Sequence, residues 1–349
     1  MKILSAPLDI CFGITNQCNL NCKHCLASAT RNSKELTTDE LLNIIDQIRQ
    51  LKILKVAIFG GEPLIRKDFF IILEALAKLR IKITLNTNGT LITKETAERL
   101  SEYKIGVYTV SLDGSCAEVH DPFRGAGSFK KAVEGIQNLI ARKCNVLISA
   151  VVTRFNYNDL ENIVLLGSKL GAYRVMFNDV VYIGNAACYR TSLLMTTKEK
   201  FKLLDDVRAL KDRFGDFMTG SVVQTCNVIE EIKHNQKETL PLKVNSCGAA
   251  VSKCAIRPDG YVTPCEIIWN VKAGNLKEKS LYDIWHNSLV MNAFREEFEI
   301  REEEIPECNG CDYLRLCYKG HRCQPYYNPG AKFEHKELYC WREDVISPK

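Results

Sequence analysis

The sequence predicts an α/β protein whose parallel sheet is followed by a small cysteine-rich C-terminal domain. Three observations carry that prediction. Six short β-rich runs alternate with helical patterns through the first half of the chain, which implies βα units joined by right-handed crossovers. The alternation ends near residue 178, and two further helical patterns follow. From Pro241 onward the segments shorten, turn signals such as Pro258-Asp-Gly260 appear and cysteines crowd together, so the boundary is placed between 1–240 and 241–349. An open sheet and a barrel-like arrangement both fit the alternation, and in either one ligands gather at the C-terminal ends of the strands.

The strand candidates are residues 10–15, 56–59, 82–86, 107–111, 146–152 and 174–178. The first helix begins at a capping box, Thr37-Thr-Asp-Glu40, and continues with Leu41, Leu42, Ile44, Ile45, Ile48 and Leu51 at helical spacing. Helical patterns over 68–79, 94–103, 128–142 and 159–170 separate the later strands, and patterns over 197–214 and 222–234 follow the last one. In the C-terminal region one amphipathic helix is expected over 280–297, with Leu281, Ile284, Trp285, Leu289 and Phe294 as its apolar stripe. The acidic stretch 296–307 reads as a solvated face.

With 349 residues, 46% hydrophobic and 26% charged, the chain is neither disordered nor collagen-like nor a disulfide-stapled mini-protein. Its longest unbroken apolar run, 69–73, is too short for a membrane-spanning helix. The N-terminus turns polar too early for a signal peptide and no lipidation box ends the chain, so the cytoplasm is the expected location. A net charge of +5 without a basic run is too mild for a dedicated nucleic-acid binder. Sixteen cysteines in a reducing compartment point to metal ligation or catalysis rather than to disulfides. Three crowd into residues 18–25 and eight lie between 247 and 340, whereas Cys11, Cys116, Cys144, Cys188 and Cys226 are scattered and read as buried apolar residues.

The segment Cys18-Asn-Leu-Asn-Cys22-Lys-His24-Cys25 directly follows the first strand. Three thiolates in so short a loop hold three irons of a [4Fe–4S] cube and leave the fourth open to a substrate or cofactor. A zinc site of the three cysteines and His24 is the alternative, although His24 adjoins Cys25 and the chelate would need an awkward turn. The CxxxCxxC motif resembles the signature of the radical S-adenosylmethionine (SAM) enzymes. Other motifs like theirs follow in order, each after a strand. Gly60-Gly61-Glu62-Pro63 resembles the family's GGEP motif, and Asn86-Thr-Asn88-Gly89, Ser111-Leu-Asp113-Gly114 and His120-Asp-Pro-Phe-Arg124-Gly125 stand where the family often places ribose and carboxylate contacts.

The resemblance covers roughly residues 8–180. It implies a partial (β/α)6 TIM-like barrel. It implies SAM held by Gly60, Gly61, Glu62, Pro63, Asn86, Asn88, Ser111, Asp113 and Arg124, with His24 packed on the adenine. It also implies a reaction in which one electron from the cluster cleaves the sulfonium of SAM and the resulting 5′-deoxyadenosyl radical abstracts hydrogen from an unactivated carbon.

The C-terminal cysteines are spaced as Cys247-x12-Gly260-x4-Cys265, then Cys308-x2-Cys311-x5-Cys317-x5-Cys323, then Cys340, with Cys254 in addition. Taken alone, a CxxC among eight cysteines suits structural zinc as well as iron–sulfur clusters. Behind the first motif, the pattern resembles the SPASM extension, which carries two auxiliary [4Fe–4S] clusters. The resemblance assigns Cys247, Cys254, Cys265 and Cys323 to one cluster and Cys308, Cys311, Cys317 and Cys340 to the other, making three clusters in all. The step from Cys317 to Cys323 is longer than the family's usual one. Glu266, directly after Cys265, matches an acidic residue proposed as the substrate base in sulfatase-maturing relatives; a solvated or salt-bridged glutamate is the plainer alternative.

The expected function is therefore that of a radical SAM oxidoreductase modifying a peptide or protein, with auxiliary clusters carrying an electron away from the substrate. The resemblance brings with it an external electron donor of flavodoxin or ferredoxin type. Biosynthesis of a small cofactor, such as tetrapyrrole side-chain processing, is the second reading, and a non-enzymatic multi-cluster electron carrier is a third. Only 17 residues precede Cys18, which leaves no room there for a peptide-recognition domain. The expectation is that a separate protein presents the peptide or that the substrate bears no leader. Neither nucleic acid nor membrane is an expected partner.

Overall fold

The computed structural model describes residues 3–28, 34–223, 226 and 247–296. Cys308, Cys311, Cys317, Cys323 and Cys340, most of the 222–234 helix pattern and nearly all of the acidic stretch 296–307 lie outside them.

The first half is a run of βα units: β1 (Asp9–Thr15), α1 (Thr38–Gln50), β2 (Lys55–Gly60), α2 (Phe69–Ala77), β3 (Lys82–Thr87), α3 (Lys94–Ser101) and β4 (Val107–Ser111). Then come α4 (Ala117–Arg124), α5 (Ser128–Ala141), β5 (Val146–Val152), α6 (Leu160–Leu170) and β6 (Arg174–Asp179). All six strands anticipated from the sequence form, and β1 to β6 pair in chain order, each parallel to the next. Two short helices, α7 (Asn185–Cys188) and α8 (Arg190–Leu193), precede α9 (Thr197–Phe214) and β7 (Met218–Thr219), which adds to β6 in parallel.

The C-terminal region continues the same sheet. Strand β8 (Lys253–Ile256) pairs in parallel with the free side of β1, and β9 (Tyr261–Thr263) and β10 (Gly274–Asn275) extend it antiparallel. Pro258-Asp-Gly260 forms the turn between β8 and β9, closed by Arg257 N–H donating to Tyr261 O at 2.8 Å. The strand order is β10-β9-β8-β1-β2-β3-β4-β5-β6-β7; among the described residues the sheet does not close, so it is a partial barrel.

Side-chain alternation separates the two faces. In β3, Ile83, Leu85 and Thr87 are buried, whereas Thr84 and Asn86 are half-buried; β4 and β5 alternate likewise. The apolar set packs on the helices. Helix α1 contributes Leu41, Ile44, Ile45 and Ile48 to this core, each worth about 1.5–3 kcal/mol of burial. The opposite face carries Asn86, Thr109, Ser111, Ser149 and Asn178, all half-buried. Leu147, Val151 and Met176 share that inner face and are likewise half-buried.

Two expectations change. The segment 280–297 is not one helix: Leu281–Asn287 and Leu289–Glu296 are separated at Ser288, whose backbone is extended (φ −68°, ψ 123°). The Ser288 hydroxyl donates to Ala273 O at 2.7 Å, a tertiary bond with no signature in the helix pattern. Leu281, Ile284, Trp285 and Phe294 are buried as the stripe predicts, but the break leaves Leu289 85% exposed. In addition, the segment containing His120 and Arg124, read only as a motif, folds as α4 despite Pro122 within it.

Candidate active site

The motif-bearing segments meet at the C-terminal ends of the parallel strands. The cysteine loop leaves β1 and is braced by the loop after β2. Gly61 N–H donates to Thr15 O and Glu62 N–H to Gln17 O, both at 2.8 Å, so the β1–β2 ladder runs on to the residue before Cys18. This close approach explains both glycines. A Cβ on Gly60, where φ is +149°, would lie 2.2 Å from Thr15 O, and one on Gly61 would lie 2.1 Å from Gln17 O. Pro63 opens the one-turn helix Pro63–Ile65 behind them, with Glu62 as its N-cap.

Glu62 is completely buried. One carboxylate oxygen accepts from Thr87 Oγ1 at 2.8 Å and Leu64 N at 3.2 Å, and the other from Asn88 N at 2.7 Å. These bonds tie the β2 loop to the β3 loop. Burial pushes its pKa up to about 7 against the three bonds that oppose the rise, and no ion pair to it forms among the described residues. Asn88 then reaches the cysteine loop: its Nδ2 donates to Asn19 Oδ1 at 2.8 Å and toward Cys18 Sγ at 3.8 Å. Leu20 N–H also points at Cys18 Sγ, at 3.4 Å.

On the other side of the loop stands a buried charge cluster. Asp113 is 1% exposed; it accepts from Arg124 Nε at 2.6 Å and Val151 N at 2.9 Å. His24 Nε2 lies 3.2 Å from the Asp113 carboxylate, which can only accept, so the proton sits on this nitrogen. His24 Nδ1 is buried with no hydrogen-bond partner, and the ring packs edge-on against Phe123. Burial lowers the pKa of His24 to about 4, so the imidazole is neutral at pH 7. Burial alone would raise Asp113, but Arg124 and His24 hold it well below the usual carboxylate range. Arg124 Nη1 approaches Cys22 Sγ at 3.9 Å. His120 accepts from Asp113 N–H at 3.0 Å through Nδ1, which orients the carboxylate's own backbone.

Some parts of the site carried little signal in the sequence. Asn185 donates through Nδ2 to Cys22 O at 3.0 Å and through its backbone N–H to Cys25 O at 2.9 Å. Gly184 (φ +57°) lies so close that a Cβ there would meet Cys25 O at 2.7 Å. A Gly-Asn pair shortly after β6 was the available cue, but such pairs occur in many ordinary turns. Glu35 accepts from Thr15 Oγ1 and Asn16 N, and Arg66 donates to Ile14 O, so both secure the end of β1. Asn86 and Ser111 face inward from β3 and β4, below the motif loops.

Cys18, Cys22 and Cys25 are free thiols. Burial raises Cys22 to about 11 and raises Cys18 as well, so both are protonated until a metal displaces the proton. Among the described residues no three His, Cys, Asp or Glu side chains converge on one metal ion. A cluster does not require that, since each sulfur takes a different iron. Three free thiols in one loop, amide and guanidinium donors aimed at two of them, and an orphaned imidazole nitrogen beside them fit a cluster and a cofactor with an amino group.

In the C-terminal region, Cys254 on β8 is fully buried, Cys265 just after β9 is 4% exposed and Cys247 is exposed. Glu266 is ion-paired with Lys253 at 3.1 Å and lies 3.0 Å from Cys265 Sγ. Burial raises its pKa, but Lys253 and the Cys265 bond outweigh burial and hold it below the ordinary value.

Residues 12–167 match the Radical SAM superfamily, and residues 247–312 match SPASM, an iron–sulfur cluster-binding domain. The chain is 32% identical over 322 residues to the mycofactocin maturase MftC of Mycobacterium tuberculosis, covering 91% of this chain and 78% of that protein. It is 31% identical over 360 residues to the AdoMet-dependent heme synthase of Methanosarcina barkeri, covering 97% of this chain and 98% of that one. Among solved structures, Streptococcus suis SuiB bound to the precursor peptide SuiA matches with a TM-score of 0.81 at 20% identity, over 97% of this chain and 77% of that one. AdoMet-bound anSMEcpe matches with a TM-score of 0.72 at 21% identity, over 93% of this chain and 92% of that one. At these identities the two structures bear on the fold alone.

Proposed function

The chain belongs to the radical SAM superfamily, and from that premise we propose that this enzyme oxidatively modifies a peptide or protein substrate. The carrying observation is the meeting of the cysteine loop, the Gly60–Glu62 brace and the Asp113–Arg124 pair at the C-terminal ends of the parallel strands. When bound, SAM and a reduced [4Fe–4S] cluster supply radical hydrogen abstraction from an unactivated carbon.

The chain's own residues hold and orient. Cys18, Cys22 and Cys25 ligate the first cluster. Glu62 keeps the β2 and β3 loops together and offers a buried carboxylate, without an ion-pair partner among the described residues, for the amino group of SAM. The bare Nδ1 of His24 suits a donor such as the adenine amino group. Asn86, Asn88, Ser111, Asp113 and Arg124 complete the SAM contacts in this reading. The eight C-terminal cysteines would hold two auxiliary clusters, which would supply an acceptor for the electron that net oxidation releases. Glu266 is the candidate acceptor of the accompanying proton; its pairing with Lys253 keeps it ionised but lowers its affinity for a proton, as the plainer salt-bridged reading expects. Free cysteines and such clusters suit a reducing compartment, the cytoplasm, and no helix of the described residues is long and apolar enough to cross a membrane. An external electron donor of flavodoxin or ferredoxin type completes the system.

Similarity to a mycofactocin maturase supports the peptide substrate. The near end-to-end match to an AdoMet-dependent heme synthase supports the second reading, a tetrapyrrole substrate. The test is anaerobic turnover with a short peptide encoded beside the gene and, separately, with a propionate-bearing tetrapyrrole. Peptide-dependent formation of 5′-deoxyadenosine with a matching loss of mass from the peptide sustains the first reading. Turnover with the tetrapyrrole alone replaces it with the second.

A further inference from the structure

We infer that Arg124, fixed by Asp113 against Cys22, is a positioning residue that sets the reduction potential of the cluster on Cys18, Cys22 and Cys25, with Asp113 acting in the opposite sense. The inference rests on the reading that these three cysteines hold a cluster.

The geometry fixes the guanidinium on two sides. Its Nε donates to Asp113 at 2.6 Å, and its Nη1 reaches Cys22 Sγ at 3.9 Å in a buried contact. Asp113 cannot drift, because Val151 N–H holds its other oxygen at 2.9 Å. The side chains of Arg124 and Asp113 are only 9% and 1% exposed, so solvent screens neither charge well. The donors at Cys18 Sγ, Leu20 N–H and Asn88 Nδ2, are neutral amides; at Cys22 a full positive charge is delivered.

A one-electron reduction of the cluster adds negative charge that spreads onto the ligand sulfurs. An N–H donor and a buried cation beside one of them favour the reduced state and raise the potential. Asp113 partly cancels that cation. Removing the cation therefore lowers the potential, and removing the anion raises it. A residue that only maintained shape would not give opposite signs for its two members. A residue that only held the carboxylate of SAM would leave the SAM-free potential unchanged.

The test uses the full chain, anaerobically reconstituted, without SAM, titrated with dithionite and mediator dyes and followed by electron paramagnetic resonance. The relevant signal is the one lost when Cys18, Cys22 and Cys25 are all replaced by Ala. Arg124→Gln should lower the ratio of reduced to oxidised cluster at a fixed potential by about tenfold, which is about 59 mV for a one-electron couple. Asp113→Asn should shift it the other way, and Arg124→Lys should restore most of the loss. An unchanged potential in Arg124→Gln, or shifts of the same sign in both variants, overturns the inference. If Asp113→Asn takes up no iron, the Gln–Lys pair at 124 decides: equal potentials overturn the inference. If the triple cysteine replacement removes no signal, the underlying cluster assignment is overturned instead.

Discussion

Glu62 shows how one residue's surroundings decide its chemistry. The GGEP-like motif identified it, but its full burial and its bonds to Thr87 and Asn88 come from the neighbouring strand. Its pKa stands at about 7, above the ordinary 4.5. Between these values the folded chain keeps a proton that the unfolded chain has lost. Glu62 therefore contributes stability that is full below about pH 4.5 and lost as pH rises through 7, on the order of 3 kcal/mol. His24 and His120 run the other way: burial lowers both to about 4 from 6.5, so their effect is rising stability across that range. The Glu62 share is isolated by comparison with Glu62→Gln. In urea denaturation the stability of the unmodified chain relative to this variant should fall between pH 4.5 and 7.5; a constant difference removes the titration from Glu62. Bringing a cationic amino group to this carboxylate favours its ionised form, so SAM affinity should rise between pH 6 and 8 in the unmodified chain and vary less in Glu62→Gln, as calorimetry can measure.

Elements were legible where the pattern is local. All six parallel strands and the cap of α1 follow from β-branched runs and from Thr37 and Glu40, whose reciprocal bonds form as the motif requires. Thr37→Ala should cost about 1 kcal/mol in urea denaturation while leaving SAM affinity unaltered, since the cap touches no site residue. The turn between β2 and the cysteine loop behaves oppositely. Gly60→Ala or Gly61→Ala places a methyl against backbone oxygens near 2 Å, and those oxygens belong to the strand end that positions Cys18. Each should lose about 1–3 kcal/mol and weaken SAM binding together with it; a variant with unaltered SAM affinity would mean that the brace does not set the cysteine loop. The split at Ser288 was illegible because its cause, the bond to Ala273, is tertiary.

At the scale of the molecule, the sheet joins what the sequence divides. Strand β8 follows the boundary at 240, yet it pairs with β1, placing Cys254 opposite Ile10 and Lys253 opposite Asp9. The cysteine-rich C-terminal region is thus hydrogen-bonded, through β8, to the strand that leads into the Cys18–Cys25 loop. If eleven cysteines hold three cubes, anaerobic reconstitution should give about 12 irons and about 12 sulfides per chain, falling to about 8 of each when Cys18, Cys22 and Cys25 are replaced by Ala. Cys323→Ala should disturb one auxiliary cluster and leave SAM cleavage largely intact. A count near eight in the unmodified protein, or stoichiometric zinc, would remove one auxiliary cluster from the proposal.

The sequence by itself determined the βα order, the cysteine loop and the motif residues at the strand ends. Those depend on hydrophobic period, turn chemistry and short spacings, all of which act within a few residues. The tertiary structure alone decided what each one faces. The sequence reports that Asp113 follows a strand and that Arg124 lies in a motif; it does not report that they form a buried pair beside Cys22 and His24. Nor does it report that Asn185 holds the backbone of Cys22 and Cys25 from far along the chain. Burial and partner choice arise only when distant segments share one low-dielectric interior, and there they determine charge, proton position and the space left for a cofactor.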